Sequence, residues 1–380
     1  VATAISLGGA GATFWMIVCG LLGMSSKFVE CTLGLKYRKQ LPDGSVSGGP
    51  MYYLSEGLAK RGAGGLGKVL AVLFAIACIG GSFGGGNMFQ ANQSFKMLEF
   101  VTGAESSFLY ERGWLYGLIM AILVGVVIIG GIKSIAKVTE KIVPFMSGIY
   151  FLAAIVVIVM NISILPSAVS EIITSAFAPT AVAGGLVGVI VQGFKRAAFS
   201  NEAGIGSAAI AHSAVKTNYA ASEGIVALLE PFIDTVVVCT LTALVLIFTG
   251  TYVGYEETGS ALTAVAFGKV IPGASIFLTI AIFLFAFSTI LTWSYYGVQA
   301  AQSLFGETKL VTNIFKIIFL LTVILGASIG LGAVIDFADM MFLTLAIPNL
   351  IGLYLMSGSV AKDLKIYMAK VKSGEIAKTK

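Results

Sequence analysis

Charged residues are scarce in this sequence. They occupy 11% of its 380 positions, and hydrophobic residues occupy 57%, whereas a typical soluble domain is roughly 25% charged. So little charge excludes an ordinary soluble fold and predicts an integral membrane protein. The net charge of +5 comes from basic residues in short loops between apolar segments, which is typical of membrane topology and argues against a nucleic-acid partner.

Residues with catalytic or metal-binding chemistry are also few. An enzyme needs a nucleophile with a base, or several metal ligands, and the single histidine, His212, with scattered acids supplies neither set. The cysteines lie inside apolar segments without the paired spacing of a metal site or a disulfide framework, so we expect them to serve in packing. We therefore predict no catalytic residue and no cofactor. The four cysteines are Cys19, Cys31, Cys78 and Cys239.

Long apolar runs, in contrast, are abundant. A helix needs about 20 apolar residues to cross a hydrocarbon core, and these runs lack the alternation of barrel strands. We predict an all-α integral membrane fold, with one transmembrane domain over residues 1–380. No signal peptide is visible, and Val1 is expected to lie inside a first helix whose earlier part is missing. A partial span is predicted at residues 1–7 and nine full spans near residues 11–35, 66–98, 114–132, 138–164, 182–213, 221–249, 274–304, 310–330 and 335–360.

The segments between the spans predict the topology. Residues 165–180 and 251–272 are too polar or too broken to span, and we expect re-entrant or surface helices there on the extracellular face. Lysine and arginine concentrate on the side that carries the loop after the second span and the tail 362–380, which the positive-inside rule assigns to the cytoplasm. The opposite side carries Glu99, Glu105, Glu111, Glu171, Glu256 and Glu257.

One predicted span, within residues 192–216, is interrupted by ionisable and helix-breaking residues. These are Lys195, Arg196, Asn201, Glu202, Gly204 and Gly206. Ionisable groups at membrane depth usually face a cavity or one another. A helix that unwinds here would offer free N–H groups to a carboxylate and free carbonyls to a cation or an ammonium group, which together suit a zwitterion. The alternative is a kinked helix in which Glu202 pairs with Lys195 or Arg196 for assembly alone.

A second polar segment, residues 283–297, carries hydroxyls and aromatic side chains on one span. Ser288 and Thr289 could offer oxygen ligands to a small monovalent cation, while the indole of Trp293 could wall a small apolar pocket. Two alternatives stay open. Ser and Thr often bond back to the carbonyl of the preceding turn, and aromatic residues near a membrane surface often serve as anchors.

Two further groups of polar residues lie in predicted spans. Asn87, Gln90 and Asn92 follow a run of glycines that suits close helix packing, and their amides need partners, which a polar substrate could supply. Glu30 follows Lys27 by one turn, and Glu230 precedes Asp234 by one turn. For these acids, proton relay and interhelical hydrogen bonding both remain open, and the second is favoured.

Several long motifs, in order along nearly the whole chain, resemble the alanine or glycine:cation symporter family. They are GGPMYYL (48–54), GGIKSIAKVTEKIVPFM (130–146), FSNEAGIGSAAIAHSAVKT (199–217), EPFIDTVVVCTLTAL (230–244), WSYYG (293–297) and IPNLIGL (347–353). The resemblance implies a leucine-transporter-type fold, in which two five-helix repeats of inverted topology carry discontinuous helices. It also implies uptake of alanine or glycine, coupled to sodium or in some members to protons, across a prokaryotic cytoplasmic membrane.

The resemblance assigns roles to individual residues. It places Ser288 and Thr289 in a sodium site, the only metal site it implies. The family's other broken helix is expected immediately upstream of Val1, of which only VATAISL (1–7) is present. Ala208 stands where the family usually has proline, which leaves substrate preference open. The residues implied to bind substrate are Gln90, Phe199, Ser200, Gly204, Ile205 and Trp293. From their own place in the predicted spans, we expect Asn87, Lys195, Arg196, Asn201 and Glu202 to be gating or structural polar residues.

We therefore expect a secondary active symporter that works by alternating access in a lipid bilayer. Its expected partners are alanine or glycine and the sodium ion. Two alternatives remain, a transporter of another small neutral amino acid such as serine, and a channel or membrane scaffold that does not transport actively.

Overall fold

The structure is a computed structural model that describes residues 1–40, 46–178, 185–255 and 258–376. Most of these residues are helical. The first helices are α1 (Ala2–Gly8), α2 (Gly11–Lys36), α3 (Pro50–Tyr52, continued by the π-helical turn Tyr53–Gly57), α4 (Gly64–Val101), α5 (Gly113–Ile128), α6 (Gly131–Met160) and α7 (Leu165–Ala176). The others are α8 (Gly185–Asn201), α9 (Ala208–His212), α10 (Ala220–Thr249), α11 (Gly259–Val270), α12 (Ala274–Phe305), α13 (Lys309–Ser328) and α14 (Leu331–Ser373). Between α2 and α3, β1 (Lys39–Gln40) pairs antiparallel with β2 (Val46–Ser47).

Within the described ranges, seven helices are long and apolar enough to cross a membrane, namely α2, α4, α6, α10, α12, α13 and α14. The protein is therefore an all-α, multi-pass membrane protein, as the composition predicted. The apolar helix α5 is shorter than the predicted span 114–132, because the chain turns at Ile129 and Gly130 before α6 begins. The predicted span 138–164 was placed too late, since α6 begins at Gly131 and includes the lysine-rich stretch before it.

The two segments predicted not to span contain short helices. α7 and α11 have 12 residues each, about 18 Å at 1.5 Å per residue, which is too short for a hydrocarbon core of about 30 Å. Residues 179–180, Glu256 and Glu257, which belong to these predictions, lie outside the described residues. The last helix, α14, continues well beyond the predicted end of its span and ends at Ser373, where Gly374 adopts a left-handed conformation.

Helices α4 and α12 lie at the centre of the bundle. α4 packs against α12, α13 and α14, while α2 packs against α8 and α10. The main apolar core includes the buried Trp293, Phe74 and Tyr53. Large apolar side chains remain exposed on the outer faces, for example Leu22 of α2 and Val126 of α5, which suits a surface that meets lipid chains.

Two long helices contain π-helical stretches. They are Gly84–Met88 within α4 and Phe232–Cys239 within α10. Such stretches are frequent at functional sites, because they displace side chains from the regular helical register. Both stretches lie beside the interruption between α8 and α9, since Gly85 lines a cavity with Glu202 and Thr235 bonds to Asn201.

Candidate functional site

The helix predicted to break does so between α8 and α9. Its regular structure ends at Asn201 and resumes at Ala208. The Asn201 side-chain oxygen accepts the Ala203 N–H at 2.9 Å, while its amide donates to Thr235 Oγ1 at 2.8 Å. Gly204 and Gly206 have φ of 83° and 85°, a conformation that glycine adopts without steric cost. The predicted unwinding of this segment is therefore confirmed.

The unwound backbone is held at Gly204 by side chains from other helices. The Gly204 N–H donates to Glu30 Oε2 at 3.2 Å, and the Gly204 carbonyl accepts Asn349 Nδ2 at 2.9 Å. The same Asn349 amide donates to Glu30 Oε2 at 3.0 Å, and Tyr53 donates its hydroxyl proton to Asn349 Oδ1. Glu30, Asn349 and Tyr53 are fully buried. Both polar groups of Gly204 are thus satisfied, as buried backbone groups require.

A chain of charged side chains continues from Glu30 to the end of α9. Lys27, fully buried on α2, lies 4.0 Å from Glu30 Oε1 and 3.3 Å from Glu230 Oε2. His212 contacts Glu230 at 2.8 Å and Glu223 at 2.6 Å. The acids Glu30 and Glu230 therefore make interhelical contacts, as the favoured alternative predicted. Sequence reasoning did not single out Asn349 or Tyr53 as partners of this chain.

A cavity of about 270 Å³ lies between the break, α4 and α12. Its walls combine aromatic rings with polar and charged groups. Seven of the residues predicted from the sequence line it, namely Gln90, Arg196, Phe199, Ser200, Glu202, Thr289 and Trp293. Residues that the sequence analysis missed complete the wall, among them Thr3 of α1, Phe89 of α4 and Phe342 of α14. The tertiary fold thus brings side chains from at least five helices to one small space.

The remaining predicted residues lie around this cavity without lining it. Ile205 is buried in the main apolar core, and the backbone of Gly204 is bonded to Glu30 and Asn349 as described. The Ser288 hydroxyl donates to the Phe285 carbonyl at 3.0 Å, and Thr289 donates to the same carbonyl at 2.9 Å. Both hydroxyls thus bond back to the preceding turn, which is the alternative that their sequence pattern left open.

The amides of α4 divide into two groups. Asn87 donates to the Phe319 carbonyl at 2.7 Å, and Asn92 donates to the Ile329 carbonyl at 2.7 Å, so both connect α4 to α13 and the residue after it. Gln90 instead lines the cavity while donating to the Gly85 carbonyl at 3.0 Å. Of the three amides, Gln90 is the one placed to meet a ligand.

Trp293 is a buried wall of the cavity and not a membrane anchor. It is 1% exposed, and its Nε1–H donates to Glu202 Oε1 at 2.9 Å. The Phe342 ring stacks on it with centroids 5.0 Å apart. The anchor alternative is therefore wrong for this residue.

The ionisable residues before the break do not form the ion pairs that the kinked-helix alternative predicted. Lys195 lies 2.8 Å from Asp339 Oδ2, and Arg196 also bonds to Asp339. Glu202 instead bonds to Trp293 and Ser207, so the alternative in which it pairs with Lys195 or Arg196 is wrong. Asp339 was not singled out from the sequence, although an acid within an apolar span is itself a signal of function.

A larger cavity of about 1120 Å³ lies beside the loop that follows α9. Ser294 and Tyr295, which follow Trp293 on α12, lie on its wall. Its rim is rich in basic side chains, namely Arg38, Lys133, Lys216 and Lys316, with Glu307 as the acid among its lining residues. The α12 helix therefore contributes to the walls of both cavities.

The fold and the site define a class of protein. A multi-pass helical membrane protein with a discontinuous helix beside a small polar and aromatic cavity is typical of secondary transporters. The family model described as the sodium:alanine symporter family matches residues 1–380. The chain belongs to this family, and it is a sodium-coupled amino acid symporter and not an enzyme.

Individual relatives are similar over nearly the whole chain. The sodium/alanine symporter AgcS of Methanococcus maripaludis is 43% identical over 371 residues, which cover 97% of this chain and 79% of the relative. The amino-acid carrier protein AlsT of Bacillus subtilis is 36% identical over 377 residues, 98% of this chain and 77% of the relative. The probable sodium/glutamine symporter GlnT of Bacillus subtilis is 36% identical over 378 residues, 99% and 76% respectively.

Proposed function

We propose that this protein couples inward sodium flux to the uptake of alanine or glycine by alternating access. The observation that carries the proposal is the cavity of about 270 Å³ beside the broken helix. Its aromatic walls leave room for a small side chain, and its polar groups suit a zwitterion. The similarity to a relative named as a sodium/alanine symporter supports alanine as the substrate.

The residues of the cavity divide the recognition of such a substrate. Trp293 and Phe199 limit the size of the side chain, while Gln90 and Ser200 offer hydrogen bonds to the polar end of the amino acid. Gly204 and Ile205, in the unwound segment, belong to the same proposed substrate site. Ser288 and Thr289 supply hydroxyl oxygens to sodium after turning away from the Phe285 carbonyl, and Thr289 is the one that already faces the cavity.

The fold in this proposal is a five-plus-five inverted repeat within one transport domain, residues 1–380. Part of the packing supports it, since four of the five pairs of elements at equivalent places in the two halves contact each other. α1 contacts α8, α2 contacts α10, α4 contacts α12 and α5 contacts α13. Such pairwise contacts are expected when two repeats are related by an axis in the membrane plane.

The proposed topology places the basic loops and the tail after α14 in the cytoplasm of a prokaryotic cell. The concentration of Lys and Arg around the larger cavity supports this orientation. In this arrangement the larger cavity is the release path toward the cytoplasm, and α7 and α11 lie on the extracellular face.

The ion pairs at Asp339 suit an extracellular gate. Asp339 lies near the start of α14, at the end away from the cytoplasmic tail, and it joins Lys195 and Arg196 of α8. Arg196 also lies 5.4 Å from the centre of the Phe199 ring, which lines the cavity. Separating α8 from α14 would break these contacts and open the cavity to the outside.

The test is uptake into liposomes that contain the purified whole protein. We expect an inward sodium gradient to drive accumulation of labelled alanine and glycine, and a sodium ionophore to abolish it. Unlabelled serine and glutamine are added as competitors, because serine is the small alternative and glutamine is named for one relative. Preferential inhibition by glutamine would replace the proposed substrate, and no accumulation with sodium or proton gradients would overturn the proposal.

A further inference from the structure

Glu202 has an unusual backbone conformation for its residue type. Its φ is 57°, in the left-handed region that glycine occupies easily and other residues seldom adopt. The other left-handed positions of the break are glycines, Gly204 and Gly206. Strained backbone persists only where surrounding contacts hold it, and at Glu202 such contacts come from its own side chain.

The carboxylate of Glu202 connects three parts of the site. Oε1 accepts the indole N–H of Trp293 at 2.9 Å, and Oε2 accepts the hydroxyl proton of Ser207. Ser207 immediately precedes α9, whereas Trp293 belongs to α12. One side chain therefore bridges the two ends of the break and ties both to the α12 wall of the cavity.

The apolar surface of the Trp293 ring is held by other contacts. Phe342 stacks on it at an interplanar angle of 17°, and Tyr296 meets it edge-on with centroids 5.2 Å apart. A Cβ added to Gly86 would lie 2.2 Å from Trp293 Cγ, so α4 directly abuts the indole. The N–H is the polar group of the ring, and its hydrogen-bond partner is Glu202.

We propose that Glu202 is a specificity-determining residue that acts through Trp293, by holding the indole in the position that limits substrate size. The inference rests on the proposed function, because it takes the cavity as the substrate site. The same carboxylate closes the break, so the wall and the unwound segment keep one relative position. An amino acid too large for the cavity can enter only if the indole turns, and turning it removes a hydrogen bond from the break.

The test compares two substitutions of Glu202 with a matched control. Glu202→Gly removes the side chain and suits the left-handed backbone, so the variant is expected to fold. Glu202→Gln keeps an oxygen that can accept the indole N–H. Glu111→Gly is the control, since Glu111 is exposed and also has a φ of 57°, so it relieves the same backbone conformation away from the cavity.

Uptake is measured for a panel of amino acids from glycine to leucine. We expect the preference for alanine over valine to fall by about tenfold in Glu202→Gly, the lower end of what a change in pocket size is worth. It should stay near the parent value in Glu202→Gln and Glu111→Gly. A purely structural role would lower uptake of every amino acid by the same factor, and that result would overturn the proposal.

A second measurement follows Trp293 directly. The chain has three tryptophans, so replacing Trp15 and Trp114 by phenylalanine leaves the indole of Trp293 as the single reporter. Its fluorescence should be protected from acrylamide in this background and become several-fold more easily quenched when Glu202→Gly is added. Unchanged quenching would show that Glu202 does not hold the ring and would overturn the proposal.

The two hypotheses fail in different ways. A parent protein that accumulates no amino acid of the panel contradicts the proposed function and the inference together. A parent that accumulates alanine, with unchanged selectivity in Glu202→Gly, contradicts this inference alone.

Discussion

Two glycine-rich segments at membrane depth have different structures in this protein. Residues 80–86 stay helical within α4 and pass into a π-helical turn, whereas residues 202–207 interrupt their helix. In α4 the glycines provide space, since a Cβ on Gly85 would lie 2.4 Å from the Phe342 ring. In the break, Gly204 instead provides a left-handed backbone with φ of 83°. The same residue type thus serves close packing in one segment and chain direction in the other.

The difference lies in what satisfies the backbone. Every unpaired backbone group in a membrane costs several kcal/mol, so a segment leaves the helix only where other groups replace the lost hydrogen bonds. At Gly204 the replacements are Glu30 and Asn349. Glycine permits an unwound segment, and the neighbouring helices stabilise it.

The largest effect is expected from removing the side chain that holds the break. Glu30→Ala deprives the Gly204 N–H of its acceptor and leaves Lys27 buried with Glu230 as its remaining carboxylate within 4 Å. Removing one partner of a buried ion pair costs about 3–5 kcal/mol, which should appear as a lower thermal unfolding midpoint in detergent.

The matched control for Glu30→Ala is Glu56→Ala. Glu56 pairs with Lys39 at 3.2 Å on the surface, where such pairs are worth about 0–1 kcal/mol. Equal effects of the two substitutions would show that the buried carboxylate does not stabilise the break.

A smaller effect is expected where glycine provides space. Gly86→Ala places a Cβ 2.2 Å from Trp293 Cγ, and overpacking of this kind costs about 1–3 kcal/mol. Uptake should fall as well, because the indole is displaced. The control is Gly65→Ala in the first turn of the same helix, where an added Cβ meets no atom within 4 Å. It should leave the free energy of unfolding and the rate of uptake near the parent values. If Gly86→Ala also changes neither, the close packing of Trp293 on α4 is not required.

A substitution at the break tests whether Gly204 is needed for its backbone conformation, and not for the space that a small residue leaves. Gly204→Ala should lower the free energy of unfolding by about 1–2 kcal/mol, because a Cβ disfavours the left-handed conformation. Gly204→Asn should cost less, since asparagine tolerates this conformation better. The control is Gly148→Ala in α6, which has open space around it and an ordinary φ. If alanine is tolerated better than asparagine at position 204, the requirement there is for space, as in α4.

The smallest effect is expected at Asn92 of α4. Its amide donates to the carbonyls of Gly326 and Ile329 at 3.1 and 2.7 Å, and interhelical hydrogen bonds in membranes average about 0.6 kcal/mol. Asn92→Ala should therefore lower the unfolding midpoint slightly and leave the apparent KM for alanine unchanged. A large increase in KM with an intact fold would instead support the substrate role that the amide pattern left open.

Much of this organisation could be predicted because it depends on local properties. Apolar length locates helices such as α2 and α12 within a few residues, and the glycines after Glu202 locate the break. The partners of the charged residues could not be predicted this way. Asp339, which pairs with Lys195 and Arg196, lies more than a hundred positions away in the sequence, and nothing local distinguishes it from another carboxylate as a partner.

Three features were determined by the sequence itself. Hydropathy determines that the chain enters a membrane as helices, and residue conformational preference determines where one helix is interrupted. The order of the motifs determines the family to which the chain belongs. Only the tertiary structure decided which groups meet. Because α4, α12 and α14 pack against the break, Gln90, Trp293 and Phe342 line one cavity. The same packing makes Trp293 the partner of Glu202, in place of the basic residues that are near it in the sequence. The physical reason is that hydrogen-bond and charge partners are chosen by distance in the folded bundle, and a linear pattern does not contain that distance.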